Sequence, residues 1–250
     1  MKIIGVIPAR YRSLRFPGKP LADICGKPMI WWVYQQCKQV KALDEVYVAT
    51  DSGEIEKKCT ELGLRVIMTS EHHKTGTDRV CEVAKKIEAD LIVNIQGDEP
   101  LLEPKTIEAA ILPLYEDSKL MVTNLMTKIK DPVDIVNCTI PKVVTNKDGF
   151  GIYLTRAAAP YPKGSINYNY YKQVCVYGFK PAALRFFSDY GKRYGKAKIE
   201  EIEDIEILRF IENGYKVKYI EVDSETVAVD TVKDLERVRQ IMRKRMTEGK

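Results

Sequence analysis

Short apolar, β-branched runs alternate with amphipathic stretches through the first half of the chain. Residues 3–8, 45–50, 65–69, 91–96 and 121–126 read as strands. Between them one helix follows Lys27-Pro28, and a second runs from an N-cap at Ser52 to a terminating glycine at Gly63. A third opens at Thr77 or Asp78, and a fourth carries Pro104 at its first position. Alternation of this kind predicts βαβ units about a parallel sheet.

From about residue 130 the rhythm changes. Residues 142–144, 151–154 and 173–179 follow one another as strands, without full helices and with a tyrosine-rich stretch between them, which predicts an antiparallel annex. An acidic helix ending at Glu212-Asn213-Gly214, a strand over 215–222 and a basic helix from Thr231 complete the chain. The fold class expected is α/β: a Rossmann-like, mainly parallel sheet flanked by helices, with a smaller antiparallel lobe. The core lobe is placed at 1–128 with 200–250, and the annex lobe at 129–199. No repeat or flexible linker interrupts the chain, so it reads as one cooperative unit with two lobes.

Composition narrows the chemistry. A chain of 250 residues with 45% hydrophobic positions can bury a sizeable core. The net charge of +5 is too small to argue for nucleic acid or an anionic membrane surface. No apolar run approaches the roughly 18 residues that a spanning helix needs, and none stands behind Met1 as a secretory leader. The six cysteines, at 25, 37, 59, 81, 138 and 175, form no C-x-x-C pair and no tight framework. A reducing cytoplasm is therefore expected. The only histidines are His72 and His73, which excludes a histidine-rich metal site. Any metal must be held by carboxylates.

Charge placement says more than its total. Arg10, Arg12, Arg15 and Lys19 follow the first strand with no acidic residue among them, in a loop shaped by Pro8, Pro17, Gly18 and Pro20. At the carboxyl end of a parallel strand such a cluster suits a polyanion such as a triphosphate. The loop is not a P-loop, because Pro20 follows Gly18-Lys19 and Ser13 stands where the first glycine belongs; no G-x-G-x-x-G occurs either. Asp98 is delivered through Gly97 from the strand at 91–96, a place from which a carboxylate can hold Mg²⁺ against phosphate oxygens. Asp230 is a second strand-end carboxylate. The polar loop from His72 to Arg79 leads into a helix and suits a ribose or base.

These segments, in this order, resemble the 3-deoxy-manno-octulosonate (KDO) cytidylyltransferases. The matching stretches include Ile7-Pro-Ala-Arg-Tyr, Arg15-x-Pro-Gly-Lys-Pro-Leu21, Val48-Ala-Thr-Asp51, Thr75-Gly-Thr-Asp-Arg79, Asn94-x-Gln-Gly-Asp-Glu-Pro100, Ile205-Glu-x-Leu-Arg209 and Val229-Asp-Thr231. The resemblance implies an enzyme that transfers CMP from CTP to the anomeric hydroxyl of an acidic sugar and releases pyrophosphate. It implies that Ala9, Arg10, Ser13, Arg15 and Lys19 grip the triphosphate, with Arg10 and Lys19 offsetting charge on the leaving group. Thr75, Gly76, Arg79 and Gln96 would face the nucleoside, and Asp98 and Asp230 would hold Mg²⁺.

For the sugar, Arg156, Gln173, Tyr177, Glu203, Glu206 and Ile207 are the implied contacts. Three positions depart from the family pattern: Gln173 stands where a histidine is usual, Ile207 where a glutamine is usual, and Ala228 where a glycine is usual. They leave open an acceptor other than KDO, such as an amino-substituted KDO, a nonulosonic acid or a phosphonate. Without the resemblance, Glu200, Glu201, Glu203 and Glu206 read equally well as a solvated acidic face. The family also implies a homodimer through the annex, for which Tyr168–Tyr171 are the expected interface residues.

Overall fold

All seven residues of the first strand, β1 (Ile3–Ala9), are buried. That accounts for its unbroken apolar run, since a parallel strand covered on both faces has no polar side to show. The computed structural model describes residues 1–12, 16–164, 168–224 and 226–248. They form two compact units, Met1–Glu108 with Glu225–Lys250, and Ala109–Ser224.

In the first unit a hairpin of β2 (Asp23–Ile24) and β3 (Lys27–Pro28) follows β1. Its two turn residues, Cys25 and Gly26, both take positive φ, at 51° and 84°, the requirement of a tight two-residue hairpin turn. Helix α1 (Met29–Lys38) buries Met29, Ile30, Val33, Tyr34 and Cys37 along one face. Then come β4 (Glu45–Thr50), α2 (Gly53–Glu61), β5 (Val66–Met68), α3 (Gly76–Lys86), β6 (Leu91–Ile95) and α4 (Pro104–Ala109). The strands lie in the order β6, β1, β4, β5, every pair parallel. As expected, Ser52 caps α2 by accepting from Ile55 N–H, and Gly63 ends it at φ +69°. α3 begins earlier than the expected Thr77 or Asp78: Thr75 caps it, exchanging hydrogen bonds with Asp78 at 3.0 and 3.1 Å. The C-terminal helix (Val232–Thr247) packs Leu235, Val238 and Met242 against Ile24, Met29 and Leu101.

The second unit contains α5 (Leu112–Glu116), β7 (Val122–Lys128), α6 (Pro132–Val136), β8 (Lys142–Thr145), β9 (Gly151–Thr155), β10 (Tyr171–Phe179), α7 (Pro181–Tyr194), α8 (Lys198–Glu203), α9 (Leu208–Glu212) and β11 (Val217–Glu221). β10 is antiparallel to β7 and β8, β9 is antiparallel to β8, and β11 joins β7 in parallel. The unit bounds differ from the expected lobes. β7 pairs with β10 and β11, so the strand assigned to the end of the core lobe, and the segment 200–224, belong with the annex.

Helix α7 corrects the expectation of an annex without full helices. Its buried stripe is narrow, Ala183, Leu184 and Phe187, and the surrounding charge masks the period. Pro181 at its first turn was the readable signal. The acidic helix is broken in two at Asp204, which takes φ +51°. Glu200 is not on a solvated face: it is fully buried, and both carboxylate oxygens accept from Arg209 at 2.7 Å. Arg209 also lies over the Phe187 ring, 3.6 Å from its centre.

Candidate active site

Backbone geometry brings the first cations to a cleft at the carboxyl end of β1. Arg10 leaves the strand directly into it. Gly18, at φ +68°, donates its N–H to Tyr11 O at 2.9 Å and starts a single 3₁₀ turn, Lys19–Leu21, with Pro20 buried inside. The left-handed glycine and the proline fix the direction in which Lys19 leaves the chain. Lys19 Nζ donates to Asp98 Oδ2 at 2.6 Å and to Asp230 Oδ1 at 3.3 Å.

Asp98 reaches this point because β6 ends at Ile95 and the chain passes close over β1. A Cβ on Gly97 would stand 3.1 Å from Pro8 O, so any side chain there would push the two strand ends apart by a few tenths of an ångström. Asp230 comes from the other end of the chain. Val229 N–H donates to Asp98 O at 2.9 Å, and Thr231, on the other side of Asp230, caps the C-terminal helix in a reciprocal pair with Asp234. The cap thus fixes the backbone carrying the second carboxylate.

The opposite wall belongs to the loop entering α3. Thr75, Gly76 and Gln96 line it, and a Cβ on Gly76 would stand 3.4 Å from both Gln96 Nε2 and Pro8 Cγ. Arg79 lines the same cleft but is 3% exposed, and its guanidinium donates to Asp51 at 3.0 Å, to Thr69 and to the Ser70 carbonyl. In this geometry it braces the wall. His73 also lines the cleft, its Nε2 2.6 Å from Glu82 Oε2. Burial pushes the Glu82 carboxyl up, but Lys86, the Ser70 amide and His73 together bring it down to about 2. His73 was not singled out from the sequence; its place in the polar loop was the only signal.

Of the residues expected at the nucleotide, Ala9, Arg10, Lys19, Thr75, Gly76, Arg79, Gln96, Asp98 and Asp230 meet at this one cleft. Ser13 and Arg15 lie outside the described residues. The donor set suits Mg²⁺: two hard carboxylates share one cation, and among the described residues no cluster of three or more His, Cys, Asp or Glu competes. An ion that takes one or two carboxylates and completes its shell with phosphate and water fits such a pair.

The residues expected at the sugar lie in the second unit and divide. Arg156 is anchored on main-chain oxygens: its guanidinium donates to the carbonyls of Glu203, Cys138, Thr139 and Asp204 at 2.7–3.2 Å. Glu203 accepts from Arg156 N–H at 2.9 Å and from the Tyr153 hydroxyl at 3.1 Å. Burial raises its carboxyl, but these hydrogen bonds and Thr155 hold it below its ordinary value. Ile207 is 1% exposed and belongs to the core, the break at Asp204 having turned it inward. Tyr177 is buried and stacks on Phe179, and burial, with Cys175 and the charge of Glu206 nearby, pushes its phenol well above its ordinary value. Gln173 is half-buried and donates to Asn124 Oδ1 at 2.8 Å. Of the expected interface tyrosines, Tyr170 serves its own unit by donating to Pro160 O at 2.9 Å, while Tyr168 remains exposed.

Residues 4–222 match the family model for cytidylyltransferases. The chain is 42% identical to 3-deoxy-manno-octulosonate cytidylyltransferase of Geotalea uraniireducens, with 98% of this chain and 100% of the relative covered. To the enzyme of the same name from Fusobacterium nucleatum it is also 42% identical, over 95% of this chain and 96% of the relative. Its fold matches a solved structure of CMP:2-keto-3-deoxy-manno-octonic acid synthetase complexed with CTP, with a TM-score of 0.91 and 37% identity, covering 98% of this chain and 99% of that one. Agreement of this extent, over a cleft whose cations and carboxylates converge as the sequence motifs required, settles the kinship: this chain belongs to the cytidylyltransferase family.

Proposed function

We propose that this chain transfers CMP from CTP to the anomeric hydroxyl of KDO, or of a closely related 2-keto-3-deoxy acid, and releases pyrophosphate. The observation that carries the reading is the convergence of Lys19, Asp98 and Asp230 beside Arg10 in one cleft, in a chain whose relatives bear the KDO cytidylyltransferase name end to end.

In this reading Arg10 and Lys19, with Ser13 and Arg15 of the same loop, bind the triphosphate and offset the charge that develops on the leaving pyrophosphate. Thr75, Gly76 and Gln96 hold the nucleoside, and Arg79 keeps their wall in place through Asp51. Asp98 and Asp230 hold Mg²⁺, which when bound neutralises phosphate charge and makes the sugar hydroxyl more acidic. Gln173, Tyr177 and Glu206 are the residues of the second unit that this reading assigns to the acid. Six free cysteines agree with a cytoplasmic enzyme, and the exposed Tyr161 and Tyr168 agree with a homodimer through the annex.

A second reading keeps the reaction and changes the acid. Gln173 favours it, because an amide now stands where the family pattern has an imidazole. Pyrophosphate release with each nucleoside triphosphate, against a panel of KDO, amino-KDO, nonulosonic acids and phosphonates, tests both readings. Release with CTP and KDO is expected. Release with CTP and another acid alone would favour the second reading, and no release with CTP and any acid would overturn the function.

A further inference from the structure

Tyr11 and Gly18 clasp the basic loop at its base. Gly18 N–H donates to Tyr11 O at 2.9 Å, and the Tyr11 ring lies so close over Gly18 that an added Cβ would stand 3.4 Å from two of its carbons. Arg10 immediately precedes one member of the clasp and Lys19 immediately follows the other, and both cations line the cleft. The clasp therefore sets the separation of the two cations. Its anchor is the far end of the same tyrosine, whose hydroxyl is hydrogen-bonded to the Glu54 carboxylate in the first turn of α2. The charge of Glu54 and this hydrogen bond raise the Tyr11 phenol above its ordinary value, so the hydroxyl keeps its proton and donates.

The start of α2 also serves the opposite wall of the cleft. Its N-cap, Ser52, follows Asp51, whose carboxylate accepts from Arg79 at 3.0 Å. Arg79 in turn reaches Thr69 and the Ser70 carbonyl, on the segment that leads to Thr75 and Gly76. Asp51 and Glu54, one helical turn apart, thus fasten the nucleoside wall and the phosphate loop to one short piece of backbone.

We infer that Tyr11 is a positioning residue for the triphosphate: through its hydrogen bond to Glu54 it holds Arg10 and Lys19 at the spacing the phosphate chain requires, in register with the nucleoside wall. This role rests on the function proposed above and adds to it the group that keeps the phosphate-binding cations in place. By charge alone, an acid beside such a loop opposes the binding of a polyanion. The sign of the change when Glu54 is removed is therefore diagnostic.

Calorimetry with CTP, inorganic tripolyphosphate and cytidine as separate probes tests the role, with pyrophosphate release followed in parallel. Tyr11→Phe keeps the ring on Gly18 and removes only the hydroxyl. It should weaken binding of CTP and tripolyphosphate roughly fivefold, the worth of one hydrogen bond, and leave cytidine nearly unchanged. Glu54→Ala should weaken both to a similar degree, whereas charge alone predicts tighter binding. The double variant should bind no more weakly than either single one, the signature of a pairwise contact. In turnover the loss should fall on KM for CTP rather than on kcat. The role is overturned if Tyr11→Phe binds tripolyphosphate like the native protein, if Glu54→Ala binds it more tightly, or if the two losses add. It is equally overturned if cytidine weakens as much as tripolyphosphate, since that would mark a general loosening of the unit. Binding that behaves as expected, without pyrophosphate release with any acid, would instead refute the transfer reading alone.

Discussion

Lys19 Nζ lies 2.6 Å from Asp98 Oδ2 and so joins the basic loop to the carboxylate that follows β6. The same ammonium reaches Asp230, so one cation holds together two acids that would otherwise repel. Lys19→Met should reduce kcat on the order of 10²-fold, as loss of a comparable electrostatic group does. Calorimetric titration with Mg²⁺ alone should show tighter binding in the same variant, because the competing ammonium has gone. Unchanged turnover would remove Lys19 from the chemistry.

Asp98→Asn should lower kcat on the order of 10²-fold or more, with the nucleotide site still formed. Pyrophosphate release and thermal melting separate loss of chemistry from loss of fold. Turnover near that of the native enzyme would refute the metal-holding role of this carboxylate.

The Glu200–Arg209 pair is wholly buried, so removing one partner leaves a charge without compensation. Glu200→Gln should cost about 3–5 kcal/mol in urea unfolding. Replacing both residues with apolar side chains of similar volume should cost much less, and equal losses for the single and double variants would show that the charge interaction is not what matters there.

Ile207→Gln would restore the residue usual in the KDO enzymes, yet the position is core. The variant should lose about 1–3 kcal/mol of stability by burying an amide and should not improve KM for the acid. Improved KM with unchanged stability would return position 207 to the sugar site.

Glu82 gives a pH dependence with a defined sign. Its carboxyl is held at about 2, below the ordinary carboxylate value, so its contribution is fully present above that ordinary value and disappears as pH falls toward 2. Glu82→Gln should therefore cost up to about 1 kcal/mol at pH 7, the range of a partly exposed ion pair, and nothing near pH 2. Chemical denaturation across that interval provides the measurement.

Alternation of apolar strands with capped helices made the parallel sheet legible, and Asp98 lies just past the end of β6 as expected, whereas Asp230, expected at a strand end, follows an irregular segment and is placed by the cap at Thr231 instead. The basic loop was legible because turn-forming residues enclosed an unbalanced run of cations. What the sequence could not show is contact with main-chain atoms, which carry no residue identity. Arg156 reads as a partner for an acid, and the sequence gives no sign of the four carbonyls that also anchor it. Lys142, fully buried, is likewise held by the carbonyls of Asn137, Ile140 and Arg156. The break at Asp204 was equally hidden, since a left-handed residue that is not glycine leaves no compositional mark, and it turned Ile207 into the core and allowed Glu200 to meet Arg209 there.

The hydrogen bond from Val229 to Asp98 and the cap at Thr231 also impose an order of assembly. A ribosome delivers Lys19 and Asp98 early and Asp230 only after all of Ala109–Ser224 has been made. Until the C-terminal helix emerges and docks on Ile24 and Leu101, the nascent chain carries one carboxylate of the pair and an incomplete core beneath it. Completion of the acid pair therefore waits on synthesis of all of Ala109–Ser224, and a chain interrupted before residue 230 carries Arg10, Lys19 and Asp98 without the second carboxylate.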